Sequence, residues 1–356
     1  MTSAWRRFAE RLGVEHPLVL APLAGGPSTP ALAAAVSNAG GLGSLGAAYL
    51  SPDEIRAAVA AARRLTDGPF AVNLFAGGAT EGADDSGPML DLLARWHAEL
   101  GLEPPGVPAL PADGWDEQFQ AVLESGAPIF SFTFGIPPQE AMAELKRRAV
   151  LILGTATTVD EARALEDAGV DAVVAQGSEA GGHRGTFLGP FEFALVGTMA
   201  LVPQVVDAVR VPVVASGGIM DGRGIAAALA LGASGVQLGT AFLATDEAGT
   251  SAPYRARLLE SAEDATAVTR AYSGRPARGI RTRFMAQADG VPIPPFPLQN
   301  AITRPLRTAA ARAGDAEALS LWAGQGLRLL RTGPAGALAG ELLDETDRVL
   351  RGLQGE

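Results

Sequence analysis

Residues 211–243 read VPVVASGGIMDGRGIAAALALGASGVQLGTAFL. Two short apolar runs, at 212–216 and 235–239, each end at glycine, and between them Asp221 opens an alanine-rich helical stretch. Strand, helix, strand in that order is the unit that carries a chain between parallel neighbours. The same alternation extends outward, with apolar runs at 18–21, 41–45, 70–74, 128–132, 150–154 and 171–175. Thr29-Pro30, Ser51-Pro52-Asp53-Glu54 and Thr158-Val159-Asp160-Glu161 carry helix start signals, the last resembling a capping box. Eight continuously apolar strands alternating with helices predict a (β/α)8 TIM barrel. No GxGxxG follows the first strand and opens its helix, which argues against a doubly wound open sheet.

The chain has 356 residues, more than the roughly 250 a barrel needs. The surplus divides in two. Residues 1–275 are read as the barrel, carrying a Gly-, Asp- and Pro-rich rim excursion at about 77–123, and 276–356 as a C-terminal helical segment packed on it. The proline-rich stretch 291–297 can be neither helix nor inner strand. At the start, Trp5, Phe8 and Leu12 predict a short amphipathic helix closing the bottom of the barrel.

Composition removes several chemistries. With no cysteine, disulfides, thiolate metal sites and cysteine nucleophiles are excluded. Lys146 is the only lysine and lies in a polar helical stretch, a poor place for a P-loop or Schiff base. A formal charge of −11 without a dense basic tract makes nucleic acid and anionic membranes poor partners. No run approaches the roughly 18 apolar residues of a membrane span. A cytoplasmic protein, monomer or homodimer, is expected.

In such a barrel the active site lies at the carboxyl ends of the strands, with phosphate commonly bound after strands seven and eight. Those ends read Ser216-Gly217-Gly218-Ile219 and Gln237-Leu238-Gly239-Thr240, where glycines let backbone amides approach an anion. Of three histidines, at 16, 97 and 183, only His183 lies just beyond a strand's carboxyl end, on a glycine-flanked loop. An imidazole with its ordinary pKa near 6.5 there is the acid/base candidate. Asn73 and Gln176 end strands three and six with amides that either read the edge of a heterocycle or satisfy neighbouring loops. No GxSxG elbow is present. No second histidine stands at metal-ligand spacing from His183, so no metal is expected.

Along almost its whole length the sequence resembles the nitronate monooxygenase family, formerly the 2-nitropropane dioxygenases, which are FMN-dependent (β/α)8 barrels. The resemblance is carried by Ala21-Pro22-Leu23-Ala24-Gly25, the stretch 35–43, Val72-Asn73-Leu74-Phe75, Phe132-Thr133-Phe134-Gly135-Ile136-Pro137, Gly154-Thr155-Ala156-Thr157, the stretches 176–185, 217–224 and 237–243, and Trp322-Ala323-Gly324-Gln325. It implies that Asn73, Gln176, Gly181, Gly218, Gln237, Leu238, Gly239 and Thr240 hold FMN and that His183 is the catalytic histidine. It further implies oxidation of alkyl nitronates, propionate 3-nitronate above all, by dioxygen to a carbonyl compound and nitrite. Relatives often have methionine where Leu23 stands, which bears on the shape of the substrate pocket. Trp322 and Tyr272 are candidates for its wall or for the core behind it. Two other readings keep the flavin: an NAD(P)H-dependent enoyl-thioester reductase on a similar glycine-rich barrel, and a non-catalytic flavin-binding protein.

Overall fold

The computed structural model describes residues 2–78, 80, 82–83, 85–110 and 114–355. Each apolar run becomes a strand because alternate side chains find alternate apolar partners. In β3 (Phe70–Phe75), Phe70, Val72 and Leu74 pack outward into the core shared with the helices, while Ala71 points to the barrel interior. The other strands are β1 (Leu18–Leu20), β2 (Gly43–Gly46), β4 (Ile129–Thr133), β5 (Leu151–Ala156), β6 (Ala172–Gln176), β7 (Gly182–His183), β8 (Val213–Ser216), β9 (Gly235–Leu238), β10 (Thr266–Thr269) and β11 (Ala277–Ile280). Eight pair in parallel in the order β1-β9-β8-β6-β5-β4-β3-β2. The seam closes just before β2, where Leu42 N–H donates to the Leu18 carbonyl and Leu20 N–H donates to that of Leu42, both at 2.9 Å. The architecture is a (β/α)8 barrel.

Inside, the lower layer is apolar, with Val19, Leu42, Ala71, Ile129, Leu153 and Val214 among its members. Phe8 and Leu12, from helix Ser3–Leu12, plug it from below. That helix begins at a Thr2 cap and ends at Gly13 in the left-handed conformation, as its amphipathic sequence implies.

The Ser51 capping box forms in both directions, Ser51 Oγ accepting from Glu54 N–H and Glu54 accepting from Ser51 N–H. The one expected at Thr158 forms only by half. Thr158 accepts from Glu161 N–H, but the Glu161 carboxylate turns inward to Thr157 N–H and Oγ and, from the loop after β7, to Phe187 N–H and Leu188 N–H. Glu161 is 0% exposed, so these bonds have no water to replace them. Glu161→Ala should lower the unfolding free energy by about 3 kcal/mol or more, since several buried donors lose a charged acceptor. Denaturant titration of the purified variant checks this, and a loss below about 1 kcal/mol would show that the donors find other partners.

Two stretches differ from the expected rim and tail. Within 77–123, helix Trp115–Ser125 packs against helix Pro52–Arg63 as the barrel's third outer helix. Helix Gly87–Glu99 instead joins a second apolar cluster with the segment after β9, burying Met89, Leu92 and Trp96 with Tyr254, Phe284 and Leu306. Trp96 Nε1 donates to Gln287 across 2.9 Å. The last helix, Ala335–Gln354, packs on helices Gly222–Ala230 and Pro30–Asn38, completing the outer ring. The segment between β9 and this helix is therefore an insertion, and its ends meet where Thr245 pairs with Gly333. It holds the hairpin β10–β11, strands the sequence did not announce, and the hairpin extends onto β7 so that Ala277 lies opposite His183.

Candidate active site

Above the apolar floor, the inward positions at the carboxyl ends turn polar: Asn73, Thr155, Gln176, Ser216 and Gln237 ring one wall of a cavity of about 770 Å³. The insertion supplies the facing wall, through Ser273, Arg307, Trp322 and Gly324. Gly181, Gly218, Gly239, Thr240 and His183 line the same space. Leu238 does not: its side chain is buried in the outer core, and its carbonyl accepts from Ala21 N–H at 2.9 Å. Leu238 can serve the site only through its backbone.

Asn73 is 2% exposed and donates to Ser131 Oγ at 3.0 Å. Gln176 spends both halves of its amide on the loop it precedes, Nε2 donating to the His183 carbonyl at 3.0 Å and Oε1 accepting from Gly185 N–H at 2.8 Å. Its first task is thus to shape the histidine loop. Gln237 has only a long contact, 3.5 Å, to Ser216 Oγ. Gly181 is required by close approach, since a Cβ there would lie 2.5 Å from the backbone of Ala323 and Gly324. Gly218 is required by its φ of +71°. Thr240 Oγ1 accepts from Gly324 N–H at 2.9 Å, joining the end of β9 to the insertion.

His183 projects from β7 into an aromatic box, with ring centroids 5.4 Å from Trp322, 5.7 Å from Phe134 and 6.0 Å from Phe75. Trp322 forms cavity wall, while Tyr272 stands edge-on behind it at 5.6 Å, buried in the second core. Phe134 holds a φ of +76°, a conformation costly for a residue with a Cβ.

The electrostatics correct one expectation. Burial, then the charges of Arg275 and Arg307, push the His183 pKa down to about 3, so the ring is neutral near pH 7 rather than poised at 6.5. Tyr49, edge-on to Phe75, is pushed up to about 12 by burial despite the nearby Arg307, Arg275 and Arg304, and stays a phenol. Burial also lowers Arg275 and Arg307. Among the described residues neither guanidinium has a carboxylate partner. Arg275 donates to the carbonyls of Gly77 and Gly78 and lies 4.1 Å from the Phe134 ring centroid. Arg307 donates to the Asn300 carbonyl and side chain. The Nε of each is buried without a partner. A desolvated cation with no anion is costly; Arg307 lines the cavity, and Arg275 stacks on Phe134, a residue of its wall.

Tyr49, Ser273, Arg275 and Arg307 were not among the residues singled out from sequence. Only helix Leu298–Ala313 left a signal: Asn300, Arg304, Arg307 and Thr308 share a polar face that reads as solvent-facing yet lines the cavity.

The nitronate monooxygenase family model matches residues 7–345. The chain belongs to the nitronate monooxygenase family. A probable nitronate monooxygenase from Staphylococcus aureus (strain Newman) is 41% identical over 350 residues, covering 97% of this chain and 98% of that protein. A solved nitroalkane oxidase from Streptomyces ansochromogenes is similar with a TM-score of 0.91 and 43% identity, covering 98% of this chain and 99% of the other. FabK from Thermotoga maritima is similar at a TM-score of 0.78 and 32% identity, with 98% of each chain covered. As a nitronate monooxygenase family member the protein is a flavin-dependent oxidoreductase. Its cavity fits a flavin. Asn73 and Gln237 line the cavity with side-chain amides, and Gly218, held at a φ of +71°, puts no side chain into it.

Proposed function

We propose that the protein is a cytoplasmic enzyme, monomer or homodimer, that oxidises alkyl nitronates, propionate 3-nitronate foremost, with FMN and dioxygen, giving a carbonyl compound and nitrite. The observation that carries this reading is the desolvated guanidinium of Arg307, without a carboxylate partner in the cavity that His183 lines, with a second, Arg275, stacked on the Phe134 wall. They suit an anionic substrate. Asn73, Gln176, Gly181, Gly218 and the stretch Gln237 to Thr240 would hold the FMN, Gly218 and Gly239 giving its phosphate access to backbone amides. The flavin supplies the electron-transfer chemistry. The chain's own residues do the rest: Arg307 draws in the anion, with the nearby charge of Arg275 adding to the field, the Tyr49 phenol donates to it, and Phe75, Phe134 and Trp322 keep water away, which strengthens each charge interaction. His183 fixes the position of the nitro-bearing carbon.

An anaerobic titration tests the proposal, with propionate 3-nitronate and, separately, with NADH and NADPH, following the visible absorbance of the flavin. Bleaching by nitronate alone is the expected result. Bleaching only by a nicotinamide would transfer the protein to the enoyl-thioester reductase reading. Slow reduction by all three would leave flavin binding without catalysis, and a colourless protein that takes up no FMN would refute the cofactor assignment.

A further inference from the structure

His183 is held by groups the barrel does not contain. Its backbone pairs with β11, and its Nε2 lies 2.8 Å from Ser273 Oγ, in the turn between β10 and β11. Ser273 is 2% exposed, and its hydroxyl also meets the backbone N–H and the carbonyl of Arg275, each at 3.2 Å. Nδ1 has no hydrogen-bond partner among the described residues, and the ring lines the cavity.

A hydroxyl has one proton to give and two lone pairs to receive with. If the imidazole carries its proton on Nε2, both Nε2–H and Arg275 N–H donate to Oγ, and the hydroxyl proton goes to the Arg275 carbonyl. Every group is then used. If the imidazole proton sits on Nδ1, the hydroxyl must turn to Nε2; the Arg275 carbonyl loses its donor and one Oγ lone pair goes unused. One hydrogen bond more in a buried place, worth about 1 kcal/mol, favours the first arrangement.

We propose that Ser273 is a positioning residue that holds His183 as its Nε2–H tautomer, so that Nδ1 is the nitrogen that presents a lone pair to the α-hydrogen of a nitroalkane. The inference rests on the function proposed above and names the residue that sets which ring nitrogen acts. In the step, the α-proton passes from carbon to Nδ1. Its electron pair stays on the nitro-bearing carbon as a nitronate, and the ring becomes imidazolium. Arg275 and Arg307, which oppose a lone imidazolium, stabilise the anion that forms with it, so the transfer creates an ion pair rather than an unbalanced charge.

The test reads the tautomer directly, by ¹⁵N–¹H correlation of the imidazoles in the full-length, flavin-loaded protein, where only three histidines need assignment. The wild type is expected to carry the His183 proton on Nε2, Ser273→Thr to keep it there, and Ser273→Ala to shift it wholly or partly to Nδ1. In Ser273→Ala the ratio of kcat/KM for nitroethane to that for ethylnitronate should fall about tenfold, the equivalent of about 1.4 kcal/mol, and Ser273→Thr should restore it. A wild-type proton on Nδ1 overturns the proposal without need of any variant. So does a Ser273→Ala protein with unchanged tautomer and unchanged ratio. A wild type that oxidises neither compound refutes the proposed function, while its spectrum still decides the tautomer.

Discussion

His183→Ala should retain flavin and fold yet lower kcat/KM for nitroethane by about 10²- to 10⁴-fold, the range of a lost general base. For ethylnitronate, which arrives already deprotonated, the fall should be nearer tenfold, about one hydrogen bond's worth of positioning. Equal turnover of variant and wild type would remove His183 from the chemistry. The wild-type pH profile carries a further signature. The folded pKa is depressed from 6.5 to about 3, so the ring is unprotonated on both sides of pH 6.5. Nitronate oxidation should therefore show no His183 limb between pH 5 and 8. A limb centred near 6.5 that vanishes in His183→Ala would contradict this electrostatic account. Stability follows the same sign: below pH 6.5 the unfolded chain takes a proton that the folded chain refuses, so this group erodes stability as pH falls from 6.5 towards 3 and is silent above.

The second large effect is expected at Arg307. Arg307→Met removes the cavity-lining cation proposed to receive the substrate, and charge-assisted hydrogen bonds of about 1.5–3 kcal/mol translate into a loss of about 10- to 150-fold in kcat/KM for an anionic nitronate. The melting temperature should hold or rise, because the same change relieves a desolvated guanidinium whose Nε has no partner. Opposite signs for activity and stability are what separate a binding cation from a structural one. Should both fall together, the bonds from Arg307 to Asn300 would be its purpose.

The barrel was legible because its signal is local. A strand covered on both faces must be apolar throughout, and glycine marks its end; the runs at 70–74 and 212–216 thus become Phe70–Phe75 and Val213–Ser216 with little adjustment. His183, Asn73 and the glycines of 216–218 and 237–240 stood out because their place beyond a strand is fixed by the strand itself. The other wall was not legible. Ser273 reads as a turn serine until β11 folds back onto β7, and Arg307 as a solvated helix residue until its helix roofs the cavity. Glu161 carried a correct helix start but hid its second role, because Phe187 and Leu188 reach it only through tertiary packing. Two-residue β7 is too short for any periodicity to mark.

The pairing of Thr245 with Gly333 gives the molecule a modular joint. The inserted segment leaves the barrel and rejoins it at one point, and the entropy of closing such a loop grows only slowly with its length. Its contents can therefore lengthen, shorten or be exchanged while the strands, the glycine-lined slot and the outer helices keep their places. Ser273, Arg275, Arg307 and Trp322 all travel in this cassette, and helix Gly87–Glu99 docks on it from elsewhere. Grafting another member's insertion between residues 245 and 333 would hand the barrel a new set of partners for His183 in a single step, changing what is oxidised while leaving the oxidising apparatus in place.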